Sequence, residues 1–124
     1  MADKKNILYV QTSGTDTPER LYSPLILAQT AKATGIDAAV YFLGKGLSNL
    51  VKGEAAKVKI GEFPTLLEVL TQAAEQGVKI YACQQSLMLF GGKIKAEDLI
   101  SEAVVAGAAT LNDLSLDADA ILTF

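Results

Sequence analysis

Cys83 is the only thiol in a chain that contains no histidine at all. Those two facts decide which chemistries are open. Without imidazole there is no Ser-His-Asp or Cys-His pair, no His-bearing metal site and no side-chain base that titrates near neutral pH. Hydrolases, phosphotransferases and zinc enzymes of the usual kinds are thereby disfavoured, and no metal ligand set is assigned. One cysteine cannot form a disulfide within its own chain, so a dithiol oxidoreductase is excluded, and a lone thiol suits a reducing cytoplasm. Thiolate chemistry remains, and it needs neither a metal nor an organic cofactor.

The surroundings of Cys83 favour such chemistry. Cys83-Gln84-Gln85-Ser86 stands where the apolar run 78–83 gives way to a short helical pattern, 84–89. A helix start offers unpaired N–H groups and the positive end of its dipole, both of which favour a thiolate over a thiol. The N–H groups of Gln85, Ser86 and Leu87 are expected to point at the sulfur and would hold a persulfide anion equally well. Lys45, Lys93 and Lys95 are the cations that could add charge. The four residues also have the Cys-x-x-Ser form of monothiol redox proteins, a pattern short enough to recur by chance. The alternative makes Cys83 a small buried hydrophobe, and the alternation along 78–83 is compatible with it.

Thr12-Ser13-Gly14-Thr15 is a second candidate binding loop, because glycine permits close backbone approach and hydroxyls can donate to an anion. Its spacing matches neither the P-loop nor the dinucleotide fingerprint, and turn and capping duty is the other reading. Gly44-Lys45-Gly46 reads as a strand exit. Glu68 and Glu75 fall on the solvent face of a helix, and Asp113 and Asp117 read as surface or turn residues, so no acid–base pair of carboxylates emerges.

The elements that must position these residues alternate along the chain. Short, continuously apolar runs at 7–10, 38–43, 78–83, 103–106 and 120–124 read as strands covered on both faces. Thr17-Pro18-Glu19 supplies a cap, a proline and a first-turn acid for a helix that runs to Gly35 and buries Leu21, Leu25 and Ala28, with Ile26 and Ala31 as further candidates. Pro24 either kinks this helix or restarts it with Ser23 as cap. Pro64 opens a helix with Leu66, Leu67, Leu70, Ala73 and Ala74 on one face and Gly77 just beyond its end. A helical turn is expected at 96–99 and a helix at 110–116. The stretch 47–62 carries the weakest pattern, with a short helix at 47–51 and a surface loop. Five strands separated by helices predict an α/β fold of three α/β/α layers, with a five-stranded, mainly parallel sheet and right-handed crossovers. Ligands of such sheets bind beyond the carboxyl ends of the strands, where Thr12, Ser13, Gly14, Cys83, Gln84, Gln85, Ser86 and the Gly107-Ala108-Ala109-Thr110 loop all fall.

Composition agrees with a folded unit. The 124 residues are 50% hydrophobic and 20% charged, enough to bury a core as a single domain, 1–124. The net charge is −3 and the 11 Lys and Arg are scattered, so nucleic acid is not expected as a direct partner. No apolar run approaches the roughly 18 residues of a membrane span, and the first residues lack a signal-peptide core, so the expected location is cytoplasmic.

The ordered set of motifs resembles the DsrE/DsrF-like family of small cytoplasmic sulfur-relay proteins, which includes the TusD type. The features that carry the resemblance are the first strand with its Thr-Ser-Gly-Thr-Asp-Thr-Pro-Glu loop, the Ala28, Ala31 and Gly35 helix end, and Phe42-Leu43 followed by Gly46. Gly77-Val78-Lys79-Ile80-Tyr81-Ala82-Cys83, the Gly107-Ala108-Ala109-Thr110 loop and the terminal Asp119-Ala120-Ile121-Leu122-Thr123-Phe124 complete it. The resemblance covers nearly the whole chain. It implies a fold flavodoxin-like in general appearance and a sulfurtransferase or sulfur carrier in which Cys83 accepts sulfane sulfur as a persulfide. It implies sulfur donor and acceptor proteins as partners, no cofactor, and assembly as a homo-oligomer (dimer, trimer or hexamer). The alternative is a non-catalytic binding or assembly subunit with Cys83 structural; a one-cysteine peroxide sensor is the third reading.

Overall fold

The computed structural model describes residues 4–124. Five strands, β1 (Asn6–Gln11), β2 (Asp37–Phe42), β3 (Lys79–Cys83), β4 (Ala103–Ala106) and β5 (Ala120–Thr123), form one sheet in the order β4-β3-β2-β1-β5. Every adjacent pair is parallel. Parallel neighbours need a crossover between them, and the intervening sequence supplies helices α1 (Tyr22–Ala33), α2 (Lys52–Ala55), α3 (Leu66–Glu75), α4 (Gln84–Leu89) and α5 (Ala108–Asp117).

The period of two along the strands sorts their side chains onto two faces. Tyr9, Val40, Phe42, Ile80 and Ala82 join Leu25, Ala28, Leu66, Leu70 and Ala73 of α1 and α3 in the larger core, against which Leu87 of α4 also packs. Leu8, Tyr41 and Cys83 form a smaller core on the opposite face, closed by Leu111 and Leu114 of α5 and the adjacent Ala118. The molecule is therefore an α/β/α sandwich with one helix on its thinner side. The first three crossovers advance from β1 out to β4 on the α1/α3 face. The last returns under the sheet through α5 to β5, beside β1.

Local signals explain most element boundaries. Thr65 caps α3 by accepting the Glu68 N–H at 3.2 Å. Gly77, at φ 92°, takes the left-handed conformation that ends this helix. Val69 joins the buried face of α3 together with Leu66, Leu70 and Ala73, while Glu68 and Glu75 are exposed as expected. Around Pro24 the chain settles on a restart capped two residues before Ser23. A 3₁₀ turn covers Pro18–Arg20, Leu21 is the cap, and Pro24 sits in the first turn of α1, where its missing N–H breaks no hydrogen bond. Thr17 does not cap with its side chain; its hydroxyl donates to the Gly14 carbonyl at 3.2 Å. Ile26 is 40% exposed and so falls outside the core. The segment of weak pattern resolves into a seven-residue 3₁₀ stretch, Gly44–Leu50, followed by α2.

Candidate functional site

Cys83 is the last residue of β3 and the N-cap of α4, with extended dihedrals of φ −68° and ψ 120°. Its register partner is Ala106, the last residue of β4. From this pair the chain diverges: after Cys83 it turns to α4 on the α1/α3 face, and after Ala106 it turns to α5 on the other. Adjacent strands whose exits go to opposite faces leave a crevice at their carboxyl ends, the place where open α/β sheets bind ligands. Cys83 stands at its mouth, 8% exposed.

The side chains around the sulfur come from three strand ends. The thiol donates to Gln85 Oε1 across 3.8 Å. Gln84 and Gln85 reach over towards Gly107, where a methyl group would lie 3.7 Å from Gln84 Oε1 and 3.9 Å from Gln85 Nε2. Gly107 is also the N-cap of α5, a ten-residue helix whose cap makes no side-chain hydrogen bond. The third contributor is Tyr41 of β2, which is fully buried and shares a core cluster with Cys83. Its hydroxyl donates to the carbonyls of Ala106 at 3.1 Å and Gly107 at 3.0 Å. The phenol is pushed up to about 12, first by burial and then by the charge and hydrogen bonding of the Cys83 sulfur beside it.

Each candidate from the sequence has a definite place. Gln84 and Gln85 are exposed at the crevice beside Cys83. Ser86 is buried, and its hydroxyl accepts the Gly44 N–H at 2.7 Å, so it joins α4 to the β2 exit. The expected donation from the α4 N–H groups to the sulfur does not occur, because the Cys83 side chain makes no cap hydrogen bond. Thr12, Ser13 and Gly14 follow β1, which β2 separates from β3, at about 9.6 Å across two strand spacings. Most of their backbone groups and the Thr12 hydroxyl are already engaged. Thr12 donates through both its N–H and its hydroxyl to the Phe124 carbonyl at 2.8 Å, and the Ser13 N–H goes to Gln11 Oε1 at 2.7 Å. The Ser13 carbonyl accepts Asn49 Nδ2 at 2.8 Å, and a methyl group on Gly14 would press on Lys45 O and Ser48 Oγ. Lys45 pairs with Asp16 at 3.1 Å, and Lys93 and Lys95 are exposed.

Tyr41 is the residue that sequence reasoning missed. A signal existed: a tyrosine in the middle of an otherwise apolar strand needs a partner for its hydroxyl once buried. A cavity of about 210 Å³ lies at the opposite end of the sheet, among Lys32, Asp37, Lys79, Tyr81 and Asp117. Its polar side chains are partly engaged with one another, Lys32 with Asp37 at 3.0 Å and Asn6 Nδ2 with the Asp117 carbonyl at 3.0 Å.

Comparison with known proteins agrees with this architecture. The chain is 32% identical over 110 residues to the uncharacterized protein MJ0760 of Methanocaldococcus jannaschii, covering 88% of this chain and 39% of that protein. It is 32% identical to the uncharacterized protein MJ0989 of the same organism, covering 86% and 88%. With the uncharacterized protein MK0008 of Methanopyrus kandleri it shares 33% identity, covering 77% and 72%. The chain thus spans well under half the length of the first of these relatives and most of the other two. Among solved structures it superposes on the ychN protein from E. coli with a TM-score of 0.77 at 20% identity, covering 98% of this chain and 100% of that one. The protein of unknown function MTH1491 from Methanobacterium thermoautotrophicum gives 0.73 at 15% identity, covering 98% and 100%. At these identities the likeness is one of fold. A family model described as the DsrE/DsrF-like family matches residues 5–124, a span that holds the whole sheet and every strand-end loop around Cys83, and the chain belongs to that family.

Proposed function

We propose that the protein is a sulfurtransferase or sulfur carrier of a sulfur relay, taking up sulfane sulfur on Cys83 and handing it to a partner thiol. The observation that carries this reading is the position of Cys83 at the point where α4 and α5 diverge, with the Gln85 amide beside its sulfur and Ala106, the residue before the α5 cap, as its register partner. In the uptake step the Cys83 thiolate attacks the terminal sulfur of a donor persulfide. The donor's S–S bond breaks, a new one forms on Cys83, and the donor leaves as a thiolate. The proton given up by Cys83 balances the one the leaving thiolate takes. The sulfane sulfur keeps its oxidation state, so no outside oxidant, reductant or cofactor enters. Handing on is the same exchange run towards an acceptor thiol. Gln84, Gln85 and Ser86 flank the carrying residue, and the Thr12-Ser13-Gly14 loop lies farther along the same rim, where it would meet a docked partner rather than the sulfur itself.

The reading includes donor and acceptor proteins as partners, a cytoplasmic setting, and residues 1–124 as one domain. Among the described residues no helix is long and apolar enough to cross a membrane. Assembly of like copies belongs to it as well, supported by the exposed apolar side chains of Met88, Leu116, Val104 and Ile121. Intact-mass measurement after incubation with a persulfide donor tests the main claim. A gain of one sulfur, lost on reduction and absent from Cys83→Ser, is expected; no adduct with several donors would overturn it.

A second reading, a binding or assembly subunit with Cys83 as core filler, is favoured by one observation: only 8% of the residue is exposed and it packs with Leu8 and Tyr41. Rapid alkylation of Cys83 at neutral pH would overturn that version.

A further inference from the structure

A buried phenol must place its hydroxyl on a partner, and the place Tyr41 finds is unusual for a residue of β2. Tyr41 is in register with Tyr81 of β3, and Cys83, two residues on, is in register with Ala106 of β4. The phenol therefore leaves β2, crosses β3 on the α5 face, and ends on the Ala106 and Gly107 carbonyls of the strand beyond. The strands on either side of β3 are about 9.6 Å apart, a gap that a phenol spans and a serine or threonine does not. Alternation puts Tyr81 and Cys83 on the face being crossed. The Tyr81 ring stacks on Tyr41 with centroids 6.0 Å apart, and Cys83, next on that face, packs in one cluster with Tyr41, near enough for its sulfur to raise the ionisation of the phenol.

A phenol hydroxyl has one proton, and here two carbonyls share it. An anionic sulfur alongside is a stronger acceptor than either carbonyl, because hydrogen bonds to ionised acceptors are about twice as strong as neutral ones. We propose that Tyr41 is a positioning residue for Cys83, its hydroxyl turning from the Ala106 and Gly107 carbonyls to donate to the sulfur whenever that sulfur is anionic. No covalent bond changes and no proton leaves the phenol. With its ionisation pushed up to about 12, the hydroxyl remains a donor throughout the neutral range. The titratable groups facing it are Cys83 and Tyr81 on β3; β1 brings Leu8 and Val10 to this cluster, and α5 brings Leu111 and Leu114. For the persulfide form the inference rests on the sulfur-carrier reading; for the thiolate it stands without it.

The test compares alkylation of Cys83 by iodoacetamide in the wild-type protein and in Tyr41→Phe across a range of pH. A hydrogen bond to a charged group predicts a rate roughly tenfold lower in Tyr41→Phe near pH 7, with the two curves meeting at high pH where both sulfurs are ionised. Equal rates throughout, or a difference of the same size at every pH, would overturn the proposal, since a change of access or packing acts at every pH. Tyrosinate absorbance supplies a second measurement that does not need Tyr41→Phe to fold. In Cys83→Ser one phenol of the four in the chain should ionise at lower pH than in the wild type, and an unchanged titration would overturn the proposal. Neither measurement uses a sulfur donor. A tenfold alkylation effect without sulfur uptake would strike the carrier reading and leave Tyr41 in its role; normal sulfur uptake with unchanged alkylation would do the reverse.

Discussion

The hydroxyl of Ser86 accepts the backbone N–H of Gly44 at 2.7 Å, tying the first turn of α4 to the exit of β2. Ser86 is buried, and the bond holds the turn that begins at Cys83 against the neighbouring strand end. The residue that resembles the second half of a redox motif is thus a strut.

Removing that strut strands a backbone donor. In Ser86→Ala the Gly44 N–H loses its partner within a partly buried loop, at a cost of about 1–2 kcal/mol. Urea unfolding should show the midpoint falling with the slope unchanged. Wild-type stability in Ser86→Ala would mean that water or another acceptor replaces the hydroxyl without loss.

Two glycines give a contrasting pair. A methyl group on Gly46 would collide with the carbonyl oxygen of Gln11, a wholly buried residue whose backbone cannot retreat, because that same oxygen accepts the Leu43 N–H at 3.1 Å. Gly46→Ala should cost about 2 kcal/mol or more. Gly53 lies within α2, where an added methyl group would meet nothing within 4 Å beyond its own turn, so Gly53→Ala should be neutral or stabilising, by up to about 1 kcal/mol. Thermal melts of both variants check the sign of each change.

How far the sequence led is clearest at particular residues. Continuous apolar runs located all five strands, β4 to the residue, and a short helical pattern located α4 to the residue. The stretch 47–62 stayed obscure because it begins inside the 3₁₀ segment Gly44–Leu50, whose three-residue repeat leaves no amphipathic stripe to read, and the helix that follows, α2, is only four residues long. Cys83 was legible as a strand-end thiol from its neighbours alone. Tyr41 was not, because its meaning comes from the order β4-β3-β2, which carries its ring across Cys83 to a strand more than sixty residues later in sequence. The N–H groups of α4 were expected to serve the sulfur, yet the side chain does not fold back over its own helix. The helix start beyond Ala106, contributed by α5, was seen only as one strand end among several.

At the other end of the sheet, two lysines converge on the carboxylate of Asp37. Its carboxylate accepts from Lys32 Nζ at 3.0 Å and pairs with Lys4 Nζ at 3.2 Å, and these two contacts, Lys32 first, hold it below its ordinary value of 3.8. A carboxylate depressed in the folded state contributes its stability above the unfolded value and loses it as pH falls through the folded one. Asp37→Asn should therefore flatten the fall in melting temperature as pH drops from about 5 down through the depressed folded value of the carboxyl. The group is exposed, so the difference from wild type should shrink in ~1 M salt. A wild-type slope in Asp37→Asn would show that these pairs are screened out already.

Gln85 offers the most direct way to alter the sulfur's surroundings without touching the core. Its Oε1 lies 3.8 Å from Cys83 Sγ, and the side chain is exposed, so an isosteric change there leaves packing intact. Gln85→Glu places a negative charge at that distance from a sulfur that reacts as an anion, and like charges so close disfavour the ionised form. Because the site is partly open to water, the effect should be about tenfold on Cys83 alkylation near neutral pH at low salt, shrinking as salt is added. Gln85→Met, which removes the amide without adding charge, should change the rate far less and without salt dependence. Equal slowing in both variants would mean that the amide acts through shape, and the charge argument at this rim of the crevice would fail.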